Sequence, residues 1–354
     1  MAPSAGEWSV LFKSAQKQAL IGLLATGLER LSDNQLPPKS LLLQWIGLIT
    51  QIETRNKQLT DVCAHLSEQL SQDGFSVCIL KGQANHVYYP DSIANRRTCG
   101  DIDVWVVPSN YDNNPVKSVM GYLENHYDVT GLCWLHASMN DTCGVPVEVH
   151  FRPSFMNEPL HNRRFQRYFH SIEKFSCLKP IDGKLLPAMR VDEDVIYQMN
   201  HIYRHLIDEG VGLRQVVDYY YLLRAWNEKH KRSKLETMKI VSWLGMQRFA
   251  GALMYVLREV CGMQEETFLC PASESDGHFL LNEILLAGNF GQSDPRLKTV
   301  SGESGNLKFQ ICRAWRRVKR NMRFVSSYPG EVIWEPLARM WHFTWKKLKL
   351  WRVF

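Results

Sequence analysis

The pattern of apolar and polar positions divides the chain into three textures. From Trp8 to about Leu31, and again from Ser40 to Leu70, apolar residues recur at helical spacing; in the second stretch they are Leu42, Trp45, Leu48 or Ile49, Ile52, Leu59, Val62, Leu66 and Leu70. Residues three and four apart share one face of a helix, so these stripes predict amphipathic helices. Pro37, Pro38 and Ser40 mark the start of the second stretch and Gly74 follows its end, which makes residues 1–72 a predicted N-terminal helical hairpin. The period then changes. "FSVCIL" (75–80), "DIDVWVV" (101–107), "YDVTGLCW" (127–134) and "VPVEVHF" (145–151) read as short strands, with a helix from Pro115 to Asn125 among them. Helical periodicity returns after Pro153, over roughly 159–171, 192–208, 212–228, 235–261 and 277–287, and the Gly- and Ser-rich segment 288–308 predicts a loop or linker.

The fold class predicted is α+β: a small mixed sheet with flanking helices, between the N-terminal hairpin and a C-terminal helical region. The boundaries implied are 1–72 helical, 73–155 sheet-bearing core, 156–290 helical, and 291–354 linker and tail.

Composition narrows the setting. A chain of 354 residues, 45% hydrophobic and 22% charged, is of the ordinary globular kind with room for two or three domains. No run of about 18 apolar residues occurs and no basic-then-apolar leader opens the chain, so neither a transmembrane segment nor secretion is predicted. The nine cysteines are scattered and never spaced C-x-x-C, which predicts neither a disulfide framework nor a zinc knuckle and suits a reducing cytoplasm. The net charge of +6 is uneven: residues 306–354 hold twelve Lys and Arg against Glu331 and Glu335. There "KFQICRAWRRVKRNMRF" and "WHFTWKKLKLWRVF" interleave bases with aromatics, a composition that serves a nucleic-acid polyanion, an anionic membrane surface, or the charged outer face of packed helices.

The acidic residues carry the candidate chemistry. On a strand continuing through Val104 to Val107, Asp101 and Asp103 project from one face, and two carboxylates side by side repel unless a cation lies between them. Asp192 and Asp194 have the same spacing, but they open a predicted helix, where acids cap the end and favour its dipole. Capping cannot explain Asp101 and Asp103; a solvated strand edge is the alternative. Glu148, between Val147 and Val149, adds a third carboxylate on a candidate neighbouring strand, with an edge-strand glutamate as the alternative. Such a cluster suits Mg²⁺, and two divalent ions about 4 Å apart stabilise the attacking and leaving oxygens in nucleotidyl transfer. Upstream, "ILKGQANHVYYP" runs from a strand through Lys81 and Gly82 into a helix expected near Gln83; glycine there lets backbone amides approach phosphate, or merely makes a turn. Arg214 and Asp218 are spaced for an intrahelical ion pair. His201 and His205 share a helical face without the glutamate of an H-E-x-x-H site, so a packed or capping role is read for them.

Strand, glycine turn, helix, paired acids on the next strand and a single acid on a later one together resemble the polymerase-β-like nucleotidyltransferase superfamily. "LKG" (80–82), "YP" (89–90), Arg97, "DIDVWV" (101–106), "VEVHF" (147–151), His205 and "GLRQVVD" (212–218) resemble, more closely, the bacterial uncharacterised nucleotidyltransferase family. The resemblance covers about residues 75–226. It implies transfer of a nucleoside monophosphate from an NTP to an unidentified acceptor, with Mg²⁺ or Mn²⁺ on Asp101, Asp103 and Glu148 as catalytic and metal-binding residues. Lys81, Gly82, Arg97, Gly100, His150 and Arg214 are then the candidate nucleotide-binding residues. Two departures stand out: Lys81-Gly82 replaces the superfamily's Gly-Gly or Gly-Ser, and eighteen residues separate Gly82 from Asp101. Other readings are a non-catalytic nucleotide sensor on the same fold and a polyanion or membrane-surface adaptor acting through 306–354.

Overall fold

The computed structural model describes residues 3–110, 112–140, 144–291, 294–296 and 307–352. The first apolar stretch is two helices, α1 (Ala5–Lys17) and α2 (Ile21–Leu28), broken where Ala19 takes a φ of 56°. With the long α3 (Lys39–Gln72) they replace the predicted hairpin by a three-helix unit whose core is Trp8, Phe12, Ile21, Ala25, Leu28 and Trp45. The Trp45 indole donates to the Ile21 carbonyl at 2.8 Å, whereas the buried Trp8 indole nitrogen makes no hydrogen bond.

The sheet begins with β1 (Phe75–Leu80), followed by a 3₁₀ segment (Gly82–Tyr88), α4 (Asp91–Ala94), β2 (Ile102–Pro108) and α5 (Pro115–His126). Then come β3 (Val129–Leu132), β4 (His136–Asn140), β5 (Pro146–His150), α6 (Pro159–Tyr168), α7 (Ile172–Phe175), β6 (Ser176–Ile181) and β7 (Lys184–Met189). The seven strands form one mixed sheet in the order β3-β4-β5-β2-β1-β7-β6, in which β2 runs parallel to β5 and β1 parallel to β7. Two predictions are corrected here. The single strand expected over 127–134 ends at Leu132, and a separate strand opens at His136. The β6–β7 hairpin lies inside the region predicted to be all helix, so the sheet runs past residue 155; its turn is Asp182-Gly183, with φ of 48° and 75°, the conformation a two-residue hairpin turn demands.

One face of the sheet packs on α3 and α5, through Val77, Ile79, Val104, Val106, Val147 and Val149 against Leu59, Leu66, Leu70, Val119 and Leu123. The other face, with Cys78, Leu80 and Trp105, is covered by α8 (Val191–Asp208), α9 (Leu213–Lys229), α10 (Lys234–Trp243), α11 (Gln247–Cys261) and α12 (Glu274–Ala287). The helix predicted over 235–261 is split at Gly245, where φ is 76° and a Cβ would lie 2.2 Å from the His161 ring.

The basic tail is built into the fold as α13 (Leu307–Phe324) and α14 (Pro329–Lys347). Phe324, Tyr328 and Val332 join the helical core, while Trp345 and Trp351 are buried with the residues of the opposite sheet face. Arg320 donates to the carbonyls of Leu206 and Glu209, and Arg339 pairs with Glu335, so part of the tail's charge is spent on internal contacts. Most of the predicted linker lies outside the described residues. No described helix is long and apolar enough to cross a membrane, and the seven described cysteines are free.

Candidate active site

The parallel register of β2 and β5 sets Asp103 opposite Glu148 and Trp105 opposite His150. Because side chains alternate, Asp103, Glu148 and His150 stand on the face covered by α8, while Val104, Val147 and Val149 face the other way. Asp103 is only 4% exposed. Lys81 Nζ lies 3.1 Å from its Oδ1 and His150 Nε2 lies 3.0 Å from the same atom. His150 Nε2 is also 3.4 Å, and His136 Nδ1 3.3 Å, from Glu148 Oε2.

These contacts decide the protonation of the cluster. Burial pushes the Asp103 carboxyl up, but the Lys81 ammonium and the His150 hydrogen bond together hold it well below the usual carboxylate range. Burial likewise opposes ionisation of Glu148, yet the His150 hydrogen bond together with the charges of His136 and His150 lowers its pKa. His150 is the counterpart: burial disfavours its charge, yet its bonds to Asp103 and Glu148 raise its pKa. Asp101, exposed at the mouth of β2, is raised by desolvation and then by the charge of Asp103. The repulsion that two neighbouring aspartates imply is thus relieved at Asp103 and left standing at Asp101.

The turn after β1 brings Lys81 to this cluster. Lys81 has a φ of 39° and Gly82 a φ of 48°. A left-handed backbone costs a lysine on the order of 1 kcal/mol, and such strain persists only where surrounding structure imposes it. Here Gln83 bonds the Asn56 carbonyl and Thr60 of α3, and Asn85 exchanges hydrogen bonds with Gln198 of α8. A Cβ at Gly82 would meet nothing nearer than the Asp101 carbonyl at 3.8 Å, so glycine is there for its φ rather than for space. The helix expected from Gln83 is the 3₁₀ segment.

One cleft is lined by Lys81, Gly82, Gly100, Asp101, Asp103 and Arg214 together with Arg97 and His201. Glu148 and His150 join it through Asp103. The Arg97 guanidinium is not turned to the acids: it forks onto Asp218 at 2.5 and 2.7 Å, and its third nitrogen donates to Cys99 Sγ. Asp218 also accepts from the Tyr89 hydroxyl at 2.7 Å, which locks the segment before β2 to α9. Asp218 is thus paired with Arg97 from across the fold, the Arg214 charge one turn away also favours its ionised form, and Arg214 donates to the Thr98 carbonyl. The rings of His201 and His205 are 4.2 Å apart, and burial drives both pKa values down, to about 4 for His205, so they are packed neutral imidazoles.

The capping prediction for the second acidic triplet is corrected. Arg190 is the N-cap of α8 and no side chain caps it. Asp192 instead accepts from the Trp226 indole and the Lys231 amide, and Asp194 from the Tyr88 hydroxyl at 2.6 Å and the Gln198 amide at 3.0 Å. Both reach across the fold.

His136 was absent from the predicted site. Its signal was the alternation in "HASMN", where His136, Ser138 and Asn140 face one way and the buried Ala137 and Met139 the other. His136 also opens a second cleft, between the sheet edge and α14, whose walls include Trp134, Phe155, Arg204, Glu335 and Arg339.

The chain belongs to the family described as uncharacterised nucleotidyltransferase, whose model matches residues 4–262. No curated protein matches it. Among solved structures it is similar to the crystal structure of an antigenic nucleotidyltransferase-like protein from Paracoccidioides brasiliensis, with 11% identity and a TM-score of 0.38 over 63% of this chain and 97% of that one. The matched family region ends before α12, so α14 and its side of the second cleft lie beyond it.

Proposed function

We propose that the protein is a metal-dependent nucleotidyltransferase of the polymerase-β-like kind, transferring a nucleoside monophosphate from an NTP to an acceptor hydroxyl with release of pyrophosphate. The observation that carries this reading is the placement of Asp103 opposite Glu148 with Asp101 at the strand mouth, all beside the strained Lys81-Gly82 turn. The donors suit a divalent ion: Asp103 stays ionised although buried, and the buried His136 Nδ1 has no hydrogen bond. Asp101, Asp103 and Glu148 would hold it, and a divalent ion so held offsets charge on the phosphates and on the reacting oxygens.

The chain's own groups do the rest. Lys81 supplies a mobile point charge for phosphate oxygens, and the left-handed turn at Lys81 and Gly82 presents backbone amides to them. Glu148, ionised and flanked by His136 and His150, takes the proton of the acceptor hydroxyl. The acceptor oxygen bonds to the α-phosphorus as the bond from that phosphorus to the bridging oxygen breaks, and pyrophosphate leaves. The buried Arg97–Asp218 clamp positions the segment leading to Asp101 without touching the substrate.

The test is incubation of the purified protein with each α-labelled NTP, Mg²⁺ or Mn²⁺ and a cell extract, followed by identification of the labelled product. Label should pass to an acceptor with the native protein and not with Asp103→Asn. Equal transfer by the two proteins would overturn the assignment.

A further inference from the structure

We infer that His136, Glu148 and His150, with Asp103 beside them, form a nitrogen-containing metal position that takes a first-row transition ion such as Zn²⁺ or Mn²⁺ in preference to Mg²⁺. The inference deepens the proposed function by adding, beside the oxygen position of Asp101, Asp103 and Glu148, a second position that shares Glu148 and Asp103 and takes a different ion. It rests on that reading only for the ion's role, and not for its binding.

The first argument is proximity. One ligand atom from each of His136, Glu148 and His150 lies within 4.8 Å of the others. Around a four-coordinate ion with bonds of about 2.0–2.1 Å, neighbouring donors stand roughly 3.4 Å apart. The contacts of Glu148 Oε2 with His136 Nδ1 and His150 Nε2, at 3.3 and 3.4 Å, already have that spacing. Asp103 Oδ1, 3.0 Å from His150 Nε2, stands next to the same group.

The second argument is rigidity. His136 pairs directly with His150, and Ser138 with Glu148, in the antiparallel β4–β5 ladder, and Asp103 comes from β2 on the other side of β5. Three hydrogen-bonded strands therefore fix the donors, which is firmer support than loops give. The imidazole rings of His136 and His150 are already 5.1 Å apart at 50°. His136 Nδ1 is buried and makes no hydrogen bond, so binding an ion would end the cost of that orphan atom rather than break an existing bond.

The third argument is donor chemistry. Mg²⁺ demands oxygen and surrenders water reluctantly, whereas imidazole suits later divalent ions, whose affinities rise toward copper and zinc. At the mouth of β2 the exposed Asp101 offers oxygen only. The site is therefore asymmetric: oxygen toward the Lys81 turn, and mixed nitrogen and oxygen toward β4.

The experiment is calorimetric titration of the chelator-stripped, full-length protein with Zn²⁺, Mn²⁺ and Mg²⁺ in the absence of nucleotide. Zn²⁺ should bind at one site at least 100-fold more tightly than Mg²⁺, and His136→Ala should weaken Zn²⁺ at least tenfold. In the Mn²⁺-loaded protein, pulsed electron paramagnetic resonance should show coupling to imidazole nitrogen that falls in His136→Ala. His136→Asn, which keeps a polar atom near Nδ1, guards against misfolding and should show the same loss of nitrogen coupling. Asp101→Asn should leave Zn²⁺ affinity unchanged, because Asp101 is outside the nitrogen set. Zn²⁺ affinity equal to that for Mg²⁺, or unaltered by both His136 variants, would overturn the inference. Failure to find any nucleotidyl transfer would sink the proposed function and leave these binding results intact.

Discussion

Asp192 and Asp194 lie in the first turn of α8, and their carboxylates accept hydrogen bonds from neutral donors: an indole, a backbone amide, a phenol and, one turn along the same helix, a side-chain amide. The Lys179 ammonium acts on Asp194 from behind the Tyr88 hydroxyl that it contacts. Asp103 is equally buried, but charge meets it, from Lys81 and from His150, with Glu148 and Asp101 close enough to perturb the same cluster. A buried acid satisfied by fixed neutral donors has nothing left to offer a ligand. One balanced by a lysine on a flexible stem and by a histidine can exchange those partners for a metal ion or a phosphate. Identical spacing in the sequence thus covers two opposite uses of burial, one that ties helices together and one that stores ionised oxygen.

The sharpest way to break this contrast is to neutralise one acid of each kind. Asp103→Asn should lower nucleotidyl transfer by about 10³-fold or more, the scale on which lost transition-state charge stabilisation is felt. Asp194→Asn should leave the rate per folded molecule within about twofold. Assays normalised to folded protein by circular dichroism decide it, and similar losses in both variants would abolish the distinction. Asp103→Asn should not stabilise the metal-free protein, because it strips Lys81 and His150 of the group that balances them.

Stability should show the reverse order. Asp194→Ala removes the acceptor of the Tyr88 hydroxyl and one of the two acceptors of the Gln198 amide in a buried network and should cost about 3 kcal/mol in urea unfolding. Arg97→Lys belongs with it. Lysine cannot reproduce the two-pronged contact with Asp218, so a loss of about 2–3 kcal/mol is expected, along with any weakening of NTP binding. A stability equal to that of the native protein would show that the clamp is not what holds the segment before β2.

The two kinds of acid were not equally legible. Period-2 alternation disclosed β1, β2 and β5, put Asp101 and Asp103 on one face and made the Glu148 strand a candidate neighbour, but only the β2–β5 register sets Asp103 opposite Glu148. His136 escaped because β4 opens on a polar residue directly after the apolar "LCWL", which blurs where one strand stops. The β6–β7 hairpin was hidden by Pro180 and Pro187, residues that argue against strands, although Asp182-Gly183 is itself a hairpin signal. Arg97 and Asp218 are 121 residues apart, and a reading of local spacing sees only Arg214 beside Asp218. Long-range partners are set by packing, which single-chain periodicity does not encode.

A pH series sharpens the comparison further. Burial raises the pKa of Asp194 above its ordinary value of 3.8, despite Lys179 and the hydrogen bonds from Tyr88 and Gln198. Between that ordinary value and the raised one, the native state holds a proton that the unfolded chain has released, so this group's contribution to stability falls as pH rises through the window. Asn does not titrate. The stability of Asp194→Asn relative to the native protein should therefore improve as pH is raised from about 4, measured by urea unfolding in metal-free buffer. A difference that stays flat or moves the other way would mean that Asp194 is ionised in the native state throughout.

The smallest effect is expected within the first acidic triplet, at Asp101. It is exposed, its pKa is raised by desolvation and by the neighbouring Asp103 charge, and it takes no part in the Lys81 and His150 contacts that stabilise Asp103. Removing its charge relieves repulsion and breaks no buried bond. Asp101→Asn should therefore change the metal-free unfolding free energy by no more than about 0.5 kcal/mol, the ordinary range of a surface substitution. The variant should nevertheless lose much of the rise in melting temperature that Mg²⁺ plus NTP gives the native protein, since a ligand stabilises only the state it binds. A marked loss of stability without metal would make Asp101 a structural acid like Asp194. Full retention of the Mg²⁺–NTP response would leave Asp103 and Glu148 to hold the ion without it.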